Sequence, residues 1–117
     1  MIKVVGFVKK RKDLTLQQFK EYWINNHNKL EKDSAERNPV RKIVASFVTE
    51  DALEEAPFHG MVELYFASME DMKAQMSGPQ GPIMIEDEKN FCDPDYRVFV
   101  VTEEYIMAVK TPRESGV

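Results

Sequence analysis

A chain of 117 residues, 43% hydrophobic and 31% charged, has the size of one domain with one core and is too apolar for a disordered segment. Its formal net charge of −4 gives no general attraction to nucleic acid or an anionic membrane, and no segment approaches the roughly 18–20 consecutive apolar residues that cross a bilayer. Cys92 stands alone, which excludes an internal disulfide and a multi-cysteine zinc cluster and leads us to expect a reducing, cytoplasmic setting.

Residues 2–9 alternate as a strand, with Ile2, Val4, Gly6 and Val8 on one face and Lys3, Val5, Phe7 and Lys9 on the other. Both faces carry apolar side chains, so something is expected to pack on each. The same segment is too short, and interrupted by Lys3, to read as a signal peptide. The basic run Lys9 to Lys12 meets Asp13 and reads as a solvated turn. Thr15 followed by Gln18 is a capping-box pattern and predicts a helix from about Leu16 to Lys29. Leu16, Phe19, Trp23, His27 and Leu30 recur at spacings of three or four and share one face, which puts His27 on the inward side.

Residues 41–48 alternate as a second strand after the Asn38-Pro39 lead-in. A loop over 51–58 follows, and Gly60 opens a third strand in which Met61, Glu63 and Tyr65 oppose Val62, Leu64 and Phe66. Ser68 with Asp71 predicts a second capped helix, whose stripe of Met69, Met72 and Met76 reads as adaptable core filling. The stretch 77–82 breaks that helix, 83–90 can form a short one, and 91–95 make a turn. The last strand is expected over 96–103, with a loose tail over 110–117 behind a domain spanning 1–109. The order β-α-β-β-α-β predicts an α+β, ferredoxin-like fold: a four-stranded antiparallel sheet with helices on one face. Its other face would need a cover, and a second copy stacking sheet on sheet predicts a homodimer, the dimeric α+β barrel.

Two histidines limit any imidazole chemistry to His27 and His59. His27 could act as a general acid or base, make a structural hydrogen bond, or cap a helix end. His59 precedes Gly60 at a strand entrance, from which it could reach a pocket mouth. Glu63 lies among apolar neighbours, where a carboxylate is costly unless hydrogen-bonded or protonated, and it could orient an imidazole or pair with Arg41 or Lys42. Neither HxH nor HExxH is present, nor a dinucleotide fingerprint or serine elbow, so no metal or other cofactor is expected. Cys92 sits among Asp87, Glu88, Asp93 and Asp95, which would raise its pKa and disfavour a nucleophilic role.

The helix from Leu14-Thr15 through Phe19, Tyr22-Trp23 and His27 resembles the opening motif of EthD-like proteins, members of the dimeric α+β barrel superfamily. His59-Gly60-Met61-Val62-Glu63-Leu64-Tyr65-Phe66 with Ser68, and Asp87-Glu88-Lys89-Asn90-Phe91-Cys92-Asp93, resemble two further motifs of that family, so the likeness spans roughly residues 1–105. The resemblance implies acid–base chemistry on a small cyclic substrate, phenolic or a lactone, in a pocket between helices and sheet, with the histidine matching His27 implicated. His59 departs from the family, where the position before the glycine is usually acidic or variable. The expectation is thus a cofactor-independent lyase or isomerase in which His27 moves a proton. His59 or Tyr65 would stabilise an oxyanion, Glu63 would set the state of an imidazole, and Phe7, Trp23, Phe47 and Phe91 would wall a ring. A non-catalytic or oxygenase-accessory protein binding a small aromatic compound, and a cofactor-free monooxygenase, are the alternative readings.

Overall fold

In the computed structural model, which describes residues 1–110, strand β1 (Ile2–Lys10) pairs antiparallel with β3 (Gly60–Phe66) on one side and with β4 (Cys92–Glu103) on the other. Strand β2 (Lys42–Phe47) pairs with β3, so the sheet order is β2-β3-β1-β4. The central position of β1 explains its apolar residues on both faces. Val4 lies opposite Leu64 and Val101, and Gly6 opposite Val62 and Phe99, so by alternation Ile2, Val4, Gly6 and Val8 share the helix side. The other face gathers Lys3, Val5 and Phe7 with Tyr65, Glu63 and Met61.

Helix α1 (Leu16–Tyr22) opens on the predicted capping box: Thr15 Oγ1 accepts from the Gln18 backbone at 3.1 Å, and Gln18 Oε1 accepts from the Thr15 backbone at 2.9 Å. It runs through a π turn, Trp23–His27, into α2 (Asn28–Arg37). The helical run therefore extends well past the expected end near Lys29. Nothing in residues 29–37 breaks a helix, and the chain leaves it only at Asn38, which adopts an extended backbone before Pro39.

Helices α3 (Met69–Met76) and α4 (Gln80–Glu88) complete the helical layer. Ser68 Oγ caps α3 through the Asp71 backbone. Of its three methionines only Met72 is buried. Helix α4 starts earlier than expected because Pro82 falls in its first turn, where a missing N–H costs nothing. Strand β4 likewise begins at Cys92 and absorbs the expected turn: the register slips between Val8 and Lys10, and Pro94 is tolerated because β4 is an edge strand.

Phe19, Phe66 and Phe91 are fully buried at the centre of the helix–sheet core. Two glycines admit this packing by close approach. A Cβ on Gly6 would sit 2.5 Å from the Phe99 ring, and one on Gly60 would sit 2.9 Å from the Trp23 ring. The far face of the sheet has no helix over it and leaves Val98 at 43% and Val100 at 44% exposure. The architecture is thus the expected α+β, ferredoxin-like one. Among the described residues no helix is long and apolar enough to cross a membrane. The expected loose tail falls, apart from Lys110, outside the described residues.

Candidate functional site

Between the helices and the sheet lies a cavity of about 330 Å³, within the size range of small-molecule sites. The sheet supplies an apolar wall of Val4, Val8, Val62, Leu64 and Phe99, and the helical run Trp23–Arg37 supplies the polar groups His27, Glu31 and Ser34. Those three are 3%, 6% and 2% exposed, unusual burial for such side chains.

The π turn sets the helix phase that brings Glu31 there. Its hydrogen bonds span five residues instead of four, so each turn holds more residues and the helix phase lags after it. Glu31 and Ser34 turn inward, while Leu30, expected on the inward stripe, is only half-buried.

His27 Nδ1 lies 2.8 Å from Asp87 Oδ2. Asp87 also accepts from the Tyr22 hydroxyl at 2.8 Å and from Asn90 Nδ2 at 3.1 Å. Burial pushes the Asp87 carboxyl up, but the hydrogen bonds from His27, Tyr22 and Asn90 outweigh it and hold the group below the usual carboxylate range. An ionised carboxylate only accepts, so Nδ1 of His27 carries the hydrogen and Nε2 is left for whatever the cavity holds. The imidazole is flanked by Phe91, with ring centroids 4.9 Å apart, and by Trp23, edge-on at 6.1 Å.

Glu31 receives the Trp23 indole N–H at 3.2 Å from each carboxylate oxygen. Burial raises its pKa, partly opposed by the charge of His27 and by the indole hydrogen bond. Ser34 Oγ accepts from Asn38 Nδ2 at 3.2 Å and Gln75 Nε2 at 3.4 Å. Glu88 and Arg97, also on the cavity lining, pair at 3.0 Å, with the guanidinium 3.9 Å above the Phe99 ring.

Of the residues singled out from the sequence, His27, Trp23 and Phe91 meet at this cavity. Phe47 shares the helix side but packs behind, against Trp23 at 5.3 Å and Phe19 at 6.1 Å. The remaining four lie elsewhere. Phe7 is on the far face, 4.8 Å from Phe58. Glu63, also on that face, binds Lys3 Nζ at 2.7 Å rather than an imidazole; Lys3 reaches Glu104 at 2.9 Å, and the Tyr65 hydroxyl donates to Glu104 at 3.3 Å. The physical reason is register: Glu63 and Tyr65 alternate with the cavity-facing Val62 and Leu64. His59 Nδ1 accepts from the Lys10 backbone at 3.0 Å at the strand end, and burial, with Lys10 and Lys9, depresses its pKa. His27 and His59 thus hold separate partners.

Glu31, Ser34 and the Glu88–Arg97 pair were not anticipated. The one available signal for Glu31 was its position four residues after His27, and Asp87, noted as an acidic neighbour of Cys92 and within the third family-like motif, was not linked to His27. No cluster of three or more His, Cys, Asp or Glu side chains able to hold a metal ion occurs among the described residues.

A family model described as the EthD domain matches residues 11–95. No curated protein sequence matches the chain. Among solved structures it is similar to an ethyl tert-butyl ether d (EthD) family protein from Bacillus halodurans, at 21% identity and TM-score 0.70, covering 90% of this chain and 99% of that one. A dimeric protein of ferredoxin-like fold from Bacteroides fragilis is 15% identical with TM-score 0.66, covering 88% and 95%. The hydroxynitrile lyase of Passiflora edulis is 15% identical with TM-score 0.63, covering 95% and 96%. At these identities the shared feature is the fold, which carries enzymes among its members.

Proposed function

This chain belongs to the EthD domain family, and we propose that its helix–sheet cavity is the active site of a cofactor-independent lyase or isomerase acting on a small cyclic or aromatic substrate. The observation that carries this reading is His27 on the cavity lining, held from behind by Asp87 and facing the apolar sheet wall. A carboxylate on Nδ1 fixes the tautomer and the ring orientation and leaves the Nε2 lone pair facing the cavity, which is the arrangement a general base requires. His27 takes a proton from a ring carbon or hydroxyl, and the imidazolium that forms is stabilised by Asp87 across 2.8 Å. Trp23, Phe91 and the valines of the sheet exclude water and hold a flat ring. Conjugation in the ring spreads the charge left behind, so the residues of this chain suffice for the proton transfers. The lyase named among the proteins of this fold supports such chemistry on the scaffold by analogy alone.

The working unit in this reading is a homodimer closed over the far sheet face, with no nucleic acid or membrane partner. The test is solvent-deuterium incorporation into a panel of phenols, lactones and cyclic ketones, followed by single-turnover kinetics on the best of them. His27→Ala should keep its fold and ring binding and lose roughly 10²- to 10⁴-fold in rate. A folded His27→Ala protein that exchanges as fast as the parent overturns the assignment, and tight ring binding without exchange by the parent identifies a binding protein instead.

A further inference from the structure

Building on that acid–base reading, we propose that Glu31 is the second catalytic group of the cavity. It gives its carboxyl proton to the carbonyl oxygen of a neutral cyclic ketone or lactone while His27 removes a proton from the adjacent carbon. Three features of the structure carry this. Glu31 lies on the cavity lining four residues after His27, and such a pair on a helix sits about 5–6 Å apart at Cβ, the spacing for neighbouring atoms of one ring to lie between base and acid. It is only 6% exposed and has no salt-bridge partner among the described residues; the guanidinium on the lining, Arg97, is taken by Glu88 at 3.0 Å. Its one hydrogen-bond donor among the described residues is the Trp23 indole, which straddles both oxygens at 3.2 Å and leaves the carboxyl room to keep a proton of its own.

An unpaired carboxylate so enclosed favours its neutral form, and the upward direction of its pKa agrees. The two groups differ in their surroundings: Asp87 holds the Nδ1 hydrogen of His27 and leaves Nε2 free to accept, while burial without a cation favours the neutral form of Glu31. The charged groups facing this pair are Asp87 behind His27 and the mutually neutralised Glu88 and Arg97 across the cavity.

The step balances within the two residues and the substrate. The C–H electron pair becomes the new carbon–carbon double bond as its proton passes to Nε2, and the carbonyl π pair moves onto oxygen and takes the Glu31 proton. The enol then collapses in reverse: His27 returns its proton to a different carbon of the conjugated system, Glu31 recovers the hydroxyl proton, and a double bond has moved. The acid also sets the substrate class, because a carboxylate placed at this end of the substrate would force two negative charges together once Glu31 has given up its proton.

The test uses a β,γ-unsaturated cyclohexenone and a β,γ-unsaturated five-membered lactone, whose conjugated isomers are read by ultraviolet absorbance and whose exchanged protons are read by NMR in D₂O. In parallel, the infrared difference between the parent and Glu31→Gln at neutral pH reads the protonated carboxyl directly. The expectation is a protonated-acid band that disappears in Glu31→Gln, together with a rate loss of roughly 10²-fold or more at nearly unchanged KM. Trp23→Phe, a second variant that keeps the acid, should retain the band and lose less rate. Absence of the band in the parent overturns the proposal. Parent-like rates in Glu31→Gln with an inactive His27→Ala overturn it as well, and leave the His27 reading standing. Failure of the parent to act on either probe removes the carbonyl substrate class and the proposal with it; loss of the His27 reading requires the separate result that His27→Ala is indifferent on the exchange panel.

Discussion

Asp87→Asn tests the electrostatics of the cavity without needing a substrate. The aspartate accepts from His27, Tyr22 and Asn90 at 2.8, 2.8 and 3.1 Å. In the variant, the amide oxygen can keep Tyr22 and Asn90 as neutral bonds, while the amide nitrogen faces Nδ1 of His27 and can only donate. The neutral imidazole must then move its hydrogen to Nε2. Charge-assisted bonds are about twice as strong as neutral ones, so their replacement should cost about 2 kcal/mol of stability for this largely buried site. Nitrogen-15 NMR of the two histidines should show the tautomer of His27 reversed and that of His59 unchanged, and any proton transfer should slow on the order of 10⁴-fold. The pH dependence follows from the depressed pKa of Asp87. Its contribution is complete above the unfolded carboxyl value and lost as pH falls through the lower folded value, so the stability gap between parent and variant should close in acid. Urea unfolding across pH measures this. A variant that keeps Nδ1–H on His27, or a gap that widens in acid, would refute the reasoning.

Three further outcomes can be checked. Gly60→Ala should destabilise the fold by about 1–3 kcal/mol in denaturant unfolding, because the new Cβ meets the Trp23 and Phe19 rings at 2.9 and 3.0 Å. Sedimentation should give about twice the 13.6 kDa chain mass for the parent, and Val98→Asp on the bare sheet face should return a monomer; a monomeric parent removes the sheet-to-sheet pairing. Cys92 is buried and its thiol is pushed well above the ordinary range by burial, with Glu88 adding to it. A thiol reagent should therefore label the native protein no faster than it unfolds.

The strands and their faces were legible because period-two alternation survives in β1 and β3: Val4 and Val8 share one face as expected, which the structure turns toward the helices, and Glu63 faces away from them. That same alternation argued against placing Glu63 and Tyr65 with His27, since residues of β3 reach the cavity only through Val62 and Leu64. The inward place of His27 was legible because the three-and-four spacing from Phe19 and Trp23 carries through to the last residue of the π turn. Beyond that turn a regular helix points Leu30 inward and leaves Glu31 to one side, and no single-residue preference announces a change of helix pitch. The cavity's second polar group was thus hidden by a geometric irregularity rather than by chemistry. Asp87 was out of reach for a different reason: its partnership with His27 joins residues 60 positions apart, and only the packing of α4 on the π turn brings them together.

The bond from Trp23 to Glu31 has a practical consequence. The chain contains one tryptophan, and its indole N–H rests on the Glu31 carboxyl, the group proposed as the acid. Gain or loss of a negative charge at that end of the ring shifts the energy of its excited state, so the emission of the unlabelled protein is an optical readout of the cavity's charge. A pH titration of that emission, excited beyond the absorption of the four tyrosines, or its change when a ring enters beside it, follows this one site.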